Sequence, residues 1–188
     1  ASKDKLKAEA LFFRAFNYFY LVRNFGGVPL ITEAYDGLDN IYVPRATVKE
    51  IYTLIEEDLL FATKVGLPNK AFTKSGFRIT QGAVDMLLAD VYLNMSGYPL
   101  LEDHYEDAAK YSRKIIKDAQ HSLLSHDNFE EASAYNKIRK LDNTDEYIYT
   151  FEYNNETFSN GDRGKYAIPS VSASWGIFKY GNTNIPYE

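Results

Sequence analysis

Apolar residues recur at helical spacing along the first 120 positions of the chain, and this pattern predicts four helices. The first runs from about Lys3 to Phe25 and is apolar on nearly every side, so we expect other helices to surround it. Gly26 and Pro29 end it, because glycine suits the left-handed residue past a helix and proline cannot continue one.

Each of the other three helices begins at a predicted capping residue. Thr47 and Glu50 form a capping box at the start of the second helix, and Thr80 is the expected N-cap of the third. The fourth opens at Asp103, with Glu106 three residues later. The spacing and residue types of the third and fourth helices predict a close antiparallel pair, like the repeat unit of tetratricopeptide arrays. Such a unit buries its apolar face only by stacking on neighbours.

The pattern changes after residue 120. The aromatic and β-branched segment Tyr147–Tyr153 predicts a short strand, and few periodic stretches follow it. We therefore predict a tetratricopeptide-like helical core over residues 1–125. An irregular, loop-rich extension over residues 126–188 belongs to the same domain. The predicted fold class is all-α, a helical array with irregular loops and a short strand near the C-terminal part.

Composition narrows the function classes. A length of 188 residues allows one domain with a real core, and a net charge of −5 argues against nucleic-acid binding. The absence of cysteine excludes disulfides and thiolate metal sites. The apolar run at 11–25 is too short to span a bilayer, and no secretion signal is visible. The chain starts inside a helix and ends without a closing element, so we expect both ends to have been cut from something longer.

Carboxylates and histidines give no catalytic pattern. Glu56, Glu57 and Asp58 are consecutive on a helix and point to different sides, so we expect a solvated face rather than a general acid/base pair. The histidines lack the spacing of a metal-binding pair, and we expect surface or capping roles for them: His104, His121 and His126. No catalytic residue, metal site or cofactor is predicted.

Recognition is the remaining chemistry. Trp175 lies in a loop of serines and is followed by Tyr180, while Tyr153 precedes Asn154 and Asn155. A flat aromatic face binds the C–H groups of a sugar, and amides and hydroxyls bind its hydroxyl groups. We therefore predict these five residues as ligand-binding. The alternative is that Trp175 anchors its loop to the helices.

Several segments resemble the SusD/RagB family, in the order that the family has them. The hallmark is an Arg-Ala-x-x-Tyr-Phe-x-Leu-Val run followed by an aromatic residue, Gly, a short residue and Val-Pro-Leu, seen here at Arg14–Leu30. The usual wording after Thr80 has two alanines, whereas this chain has Gly82 first. The other matching segments are 43–52, 55–59, 67–68, 78–83, 87–93, 105–111 and 145–149.

The resemblance implies a tetratricopeptide-like scaffold in a protein that is lipid-anchored on the outer face of the outer membrane in Bacteroidetes-type bacteria. It implies binding of extracellular nutrients, usually glycans, and delivery to a TonB-dependent transporter of the SusC type. The anchoring cysteine would lie outside this chain. None of the matched motifs is a ligand-binding motif of the family, so Trp175 and its neighbours rest on their chemistry alone.

The resulting interpretation is a glycan-binding component of a nutrient-uptake complex that performs no catalysis. Its expected partners are an oligosaccharide or polysaccharide and a SusC-type transporter, with no nucleic acid and with membrane contact only through the missing anchor. The alternatives are a tetratricopeptide-type module that binds a peptide, uptake of a peptide nutrient, and a glycan hydrolase.

Overall fold

The structure, a computed structural model, describes residues 2–34, 37, 42–69, 72–73, 76–118, 120–125, 134 and 145–149. All of them belong to the unit Ala1–Tyr149. In chain order the elements are α1 Ser2–Phe25, α2 Val48–Thr63, β1 Phe72–Thr73, β2 Gly76–Phe77, α3 Gln81–Met95 and α4 Tyr105–Asp118. The predicted helical fold class is confirmed, and the boundary at residue 125 stays a prediction.

Helices α1 and α2 are antiparallel neighbours. Arg14 of α1 forms an ion pair with Asp58 of α2. Further along α1, Phe19 packs edge-on against Tyr52, which lies earlier in α2. The residues of closest approach therefore run in opposite directions along the two helices.

Helices α3 and α4 form the second antiparallel pair, as predicted. Tyr92, near the end of α3, stacks on Tyr111, in the first half of α4, with 5.8 Å between ring centroids. Lys114, later in α4, reaches Asp85, earlier in α3. Tyr92 also donates a hydrogen bond to Glu56 of α2, so the two pairs stack through α2 and α3.

Helix α1 is buried along one stripe only, which corrects the expectation that neighbours cover it on nearly every side. Phe12 and Phe19 are each 1% exposed and face the core. Phe13 and Tyr20 point away from it and are 38% and 58% exposed. The outer stripe of the helix thus stays uncovered by the described residues. In the described part of the chain, every helix is too short or too polar to qualify as a membrane span.

The predicted helix starts hold for α2 and α3 but not for α4. Thr47 and Glu50 make the capping box, and the Thr80 side chain accepts a hydrogen bond from the Ala83 N–H. Helix α4 begins at Tyr105, one residue later than a cap at Asp103 implies. The His104 N–H donates to Ser96 Oγ at 3.0 Å, which ties the residue before the helix to the end of α3.

Two short segments differ from the predicted pattern. The connection between α2 and α3, where the sequence predicts no strand, contains a two-residue antiparallel ladder in which Phe72 pairs with Phe77 and Thr73 with Gly76. The strand expected at Tyr147–Tyr153 is wrong for residues 147–149, which are irregular; residues 150–153 lie outside the described part. Residue 149 packs instead as a single ring against Phe12 and Phe13, a tertiary contact that β-propensity does not predict.

Adjacent residues of α1 offer a direct test of its orientation. Phe19→Ala should lower the free energy of unfolding by about 3–5 kcal/mol, because it removes a buried ring and leaves a cavity. Tyr20→Ala, at the 58% exposed position next to it, is the matched control and should cost far less. Urea unfolding followed by circular dichroism measures both, and equal losses would contradict the observed orientation.

Candidate functional site

An ion pair fixes α1 against α2. Arg14 donates two hydrogen bonds to Asp58, from Nε at 2.7 Å and from Nη2 at 2.6 Å. Asp58 is 4% exposed, so its charge is compensated inside the protein. The hydrogen bond to Asp58 is the main cause that raises the pKa of Arg14. The predicted solvated acidic face is therefore wrong for Asp58, and of the three carboxylates only that of Glu57 is exposed.

Tyr92 connects three helices through its hydroxyl and its ring. Its hydroxyl donates to Glu56 at 2.7 Å, which leaves that carboxylate half-buried rather than solvated. Its ring lies 5.8 Å from Tyr111 and 5.4 Å from His104. Burial raises the pKa of Tyr92, and the carboxylate of Glu56 raises it further, so the phenol stays a donor.

The end of α1 is held by the segment that precedes α2. Gly26 has φ of 67°, the left-handed conformation that the sequence predicts there. A side chain at Gly27 would overlap the carbonyl oxygen of Ala46, so only glycine fits. Arg45 donates to the carbonyl of Phe25 at 2.7 Å and to that of Gly27 at 2.5 Å, which satisfies oxygens that the helix end leaves free.

A polar groove of about 480 Å³ lies where the start of α3 meets the end of α4. Asp85 is its buried carboxylate, 5% exposed. It accepts from Gln81 at 3.3 Å and faces Lys114 Nζ at 3.5 Å. Burial raises the pKa of Asp85, and Lys114 and Gln81 only partly oppose this. The lining residues are Thr63, Asn69, Gln81, Gly82, Asp85, Lys114, Ile115, Lys117, Asp118 and His121.

His121 closes one side of this groove and is half-buried rather than fully at the surface. Its Nδ1 lies 3.2 Å from the carbonyl oxygen of Asp145, and its Nε2 is buried without a hydrogen-bond partner among the described residues. A Cβ on Gly82 would lie 3.1 Å from that Nε2. The glycine that departs from the usual wording of the motif thus makes room for the imidazole.

An apolar cavity of about 400 Å³ adjoins the groove and shares Ile115 and His121 with it. Its other lining residues are Ile116, Ser122, Leu123, Glu146 and Ile148. The two spaces together offer amide, carboxylate and ammonium groups beside aliphatic surface. Such groups exchange hydrogen bonds with hydroxyl-bearing ligands, although the described lining holds no phenyl, phenol or indole ring for stacking.

The predicted ligand-binding residues all lie outside the described part of the chain: Trp175, Tyr180, Tyr153, Asn154 and Asn155. His126 lies outside it as well, whereas His104 is half-buried between Glu102 and Asp107, at 3.4 and 3.7 Å. Sequence reasoning missed the groove. The one local signal for it is the i, i+4 spacing of Gln81 and Asp85, which is too common to single out.

Removing one partner of the Arg14–Asp58 pair should be costly. Arg14→Met leaves a buried carboxylate unpaired and should lower the free energy of unfolding by about 3 kcal/mol. The double variant Arg14→Met, Asp58→Leu removes both charges and should recover most of this loss in urea unfolding. A double variant no more stable than the single one would show that the pair does not act as a unit.

The buried carboxylate of the groove predicts a pH-dependent stability difference. Because the folded-state pKa of Asp85 lies above its ordinary value, lowering the pH through that raised value protonates the folded state first and favours it. Asp85→Asn should therefore be more stable than wild type at pH 7, and the difference should shrink at about pH 4. Glu57→Gln, at an exposed position of α2, is the control; a constant difference for Asp85→Asn would contradict the prediction.

Comparison with known proteins identifies a family and relatives that are similar to this chain. Residues 1–93 match the SusD-like family described as "Starch-binding associating with outer membrane". A SusD-like protein of Bacteroides ovatus is 30% identical over 139 residues, which is 72% of this chain and 24% of the relative.

Two solved structures are also similar to this chain. A SusD superfamily protein from Parabacteroides distasonis is 44% identical, with a TM-score of 0.60 over 65% of this chain and 26% of its own. A structure with a xylogluco-oligosaccharide is 30% identical, with a TM-score of 0.58 over 66% of this chain and 25% of its own. The chain thus spans about a quarter of the length of these relatives. The segments that resemble the family, the match over residues 1–93 and the similar solved structures agree that this chain belongs to the SusD-like family.

Proposed function

We propose that the protein binds extracellular glycans at the outer-membrane surface and delivers them to a TonB-dependent transporter of the SusC type. The observation that carries the first half is the likeness to the structure with xylogluco-oligosaccharide, which is 30% identical over 66% of this chain. The family description, starch-binding and associating with the outer membrane, supports both the ligand class and the location.

The contacts of the helical part favour binding over catalysis. Two of the three consecutive carboxylates that could have served as acid and base are engaged, since Asp58 binds Arg14 and Glu56 binds Tyr92. A glycan hydrolase needs two carboxyl groups that flank one bond, and these carboxylates hold helices together instead.

The ligand contacts are proposed to come from the loops rather than from the motif-bearing helices. Trp175 would stack on a sugar ring, with Tyr180 and Tyr153 beside it, while Asn154 and Asn155 would bind hydroxyls. The helices serve as the rigid frame.

Glycan binding is testable by calorimetry on the full-length protein. A panel of xyloglucan and starch oligosaccharides should give at least one that binds without release of new reducing ends. Trp175→Ala should weaken the binding free energy for that oligosaccharide by about 1–3 kcal/mol, because a stacking face is lost, with little change in the melting temperature of the protein. Tyr42→Ala, at a 94% exposed position, is the control.

Three outcomes would contradict the proposal in different ways. Binding of a peptide but of no glycan would favour the peptide-binding alternative. Release of reducing ends that persists through purification would favour a hydrolase. A sharp fall in melting temperature with unchanged affinity would make Trp175 an anchor of its loop.

A further inference from the structure

The side of α1 that faces away from the core presents uncharged residues to solvent. We name this side the outer stripe. Its positions follow one another in alternating steps of four and three residues: Leu6, Ala10, Phe13, Asn17, Tyr20 and Asn24. All of them are exposed, and Leu6 and Tyr20 are more than half exposed. The outer stripe is therefore a continuous uncharged surface about five helical turns long.

The spacing of the outer stripe is that of a surface on which a second helix packs. Alternating steps of four and three residues keep the side chains on one line along the helix, so that one partner helix contacts all of them. Tyr149 reaches the middle of the stripe, where its ring centroid lies 6.5 Å from that of Phe13. It leaves Leu6 and Tyr20, towards the two ends, 54% and 58% exposed.

The two asparagines of the outer stripe already have hydrogen-bond partners on their own helix. The side-chain amide of Asn17 donates to the carbonyl of Phe13, and that of Asn24 donates to the carbonyl of Tyr20, both at 2.7 Å. These bonds lower the free energy cost of removing the amides from water. An asparagine within an otherwise apolar stripe also fixes the register of two packed helices.

Helix α4 presents a different surface on the side that faces away from α3. The described helices pack in the order α1, α2, α3, α4, and α4 carries Glu106, Lys110, Arg113 and Lys117 at the same spacing of four and three residues. All four are exposed. In stacked helical arrays, a terminal unit has a polar outer face, whereas an inner unit has neighbours on both sides. The outer stripe gives α1 the surface of an inner helix.

The size of the outer stripe favours a helix of the same protein over a separate partner. From Leu6 to Asn24 the stripe is about 27 Å long, and a helix is about 10 Å wide, so the contact covers about 270 Å² on each side. Separate proteins that associate stably bury about 800 Å² each, because association costs translational and rotational freedom. A helix that is already part of the same chain does not bear that cost.

The relatives have the chain length to supply such a helix. The matched part is 24% of the Bacteroides ovatus protein and 26% of the Parabacteroides distasonis structure. Most of the length of these relatives therefore lies outside the part that is similar to this chain.

We infer that the outer stripe of α1 is the packing surface for a further helix of the same full-length protein, from outside these 188 residues. That helix places apolar side chains against Leu6, Phe13 and Tyr20, and a polar side chain against Asn17. The inference does not depend on the proposed function. It applies to the full-length protein, because within these 188 residues the stripe is exposed.

Photocrosslinking of the purified full-length protein identifies what covers the stripe. Two variants, Tyr20→benzoylphenylalanine and Leu6→benzoylphenylalanine, place a photoreactive ring at two points along it. Irradiation should give a crosslink within the monomer to a peptide outside these 188 residues, identified by mass spectrometry after digestion. Glu106→benzoylphenylalanine, on the polar side of α4, is the matched control and should give no such crosslink.

Cysteine labelling measures the cover independently. In the native full-length protein, Tyr20→Cys should react with a maleimide about tenfold more slowly than Glu106→Cys, because labelling then requires local opening. Both should react at the same rate in urea. The rates are obtained from the labelled peptides by mass spectrometry, and Leu6→Cys repeats the measurement if Tyr20→Cys does not fold.

Three results would overturn the inference. Crosslinked dimers would show that a second copy covers the stripe. Crosslinks to a peptide within these 188 residues would show that the cover comes from this part of the chain. Labelling of Tyr20→Cys as fast as that of Glu106→Cys in the native protein would show that the stripe stays exposed. Glycan binding is measured separately by calorimetry, so failure of either proposal leaves the other standing.

Discussion

The helical frame depends on one electrostatic constraint, the charge of Asp58 in the interface between α1 and α2. A carboxylate that is 4% exposed has to be compensated, and the bidentate bond from Arg14 does so at 2.6 and 2.7 Å. Because both hydrogen bonds need the planar guanidinium in one orientation, the pair fixes the register of α1 against α2.

The second helix pair is joined to the first by the same means, a polar group that has to be satisfied. Glu56 lies two residues before Asp58 on α2 and accepts the hydroxyl of Tyr92. The ring of Tyr92 in turn stacks on Tyr111 of α4. A chain of contacts between polar groups and rings therefore connects all four helices, with apolar residues packed around it.

The residues of the segments that resemble the family have structural roles in this chain. Arg14 and Tyr92 hold helices together, and Gly27 allows the backbone of residue 46 to pass close by. Tyr18 accepts the Ile31 N–H at 2.7 Å and so holds the chain that leaves α1. Such motifs identify the frame. Among the described residues that line the polar groove and the apolar cavity, none of these four appears.

Gly82 shows how a departure from the motif can mark a local difference. The missing Cβ leaves space for the His121 imidazole, which then lines both the polar groove and the apolar cavity. The sequence contains both residues, but they are far apart along the chain. Only the fold shows that the one makes room for the other.

The sequence by itself determined the helices, the caps of α2 and α3 and the pairing of α3 with α4, because periodicity, Thr47, Thr80 and Gly26 act on neighbouring residues. Tertiary structure decided which face of α1 is covered, since apolar residues line both sides of that helix and only its neighbours distinguish Phe19 from Tyr20. It also decided that Asp58 is paired rather than solvated, that His104 is bonded to Ser96 at the end of α3, and where the groove lies. Each of these features depends on contacts between residues that are distant in sequence, and a local sequence pattern does not report such contacts.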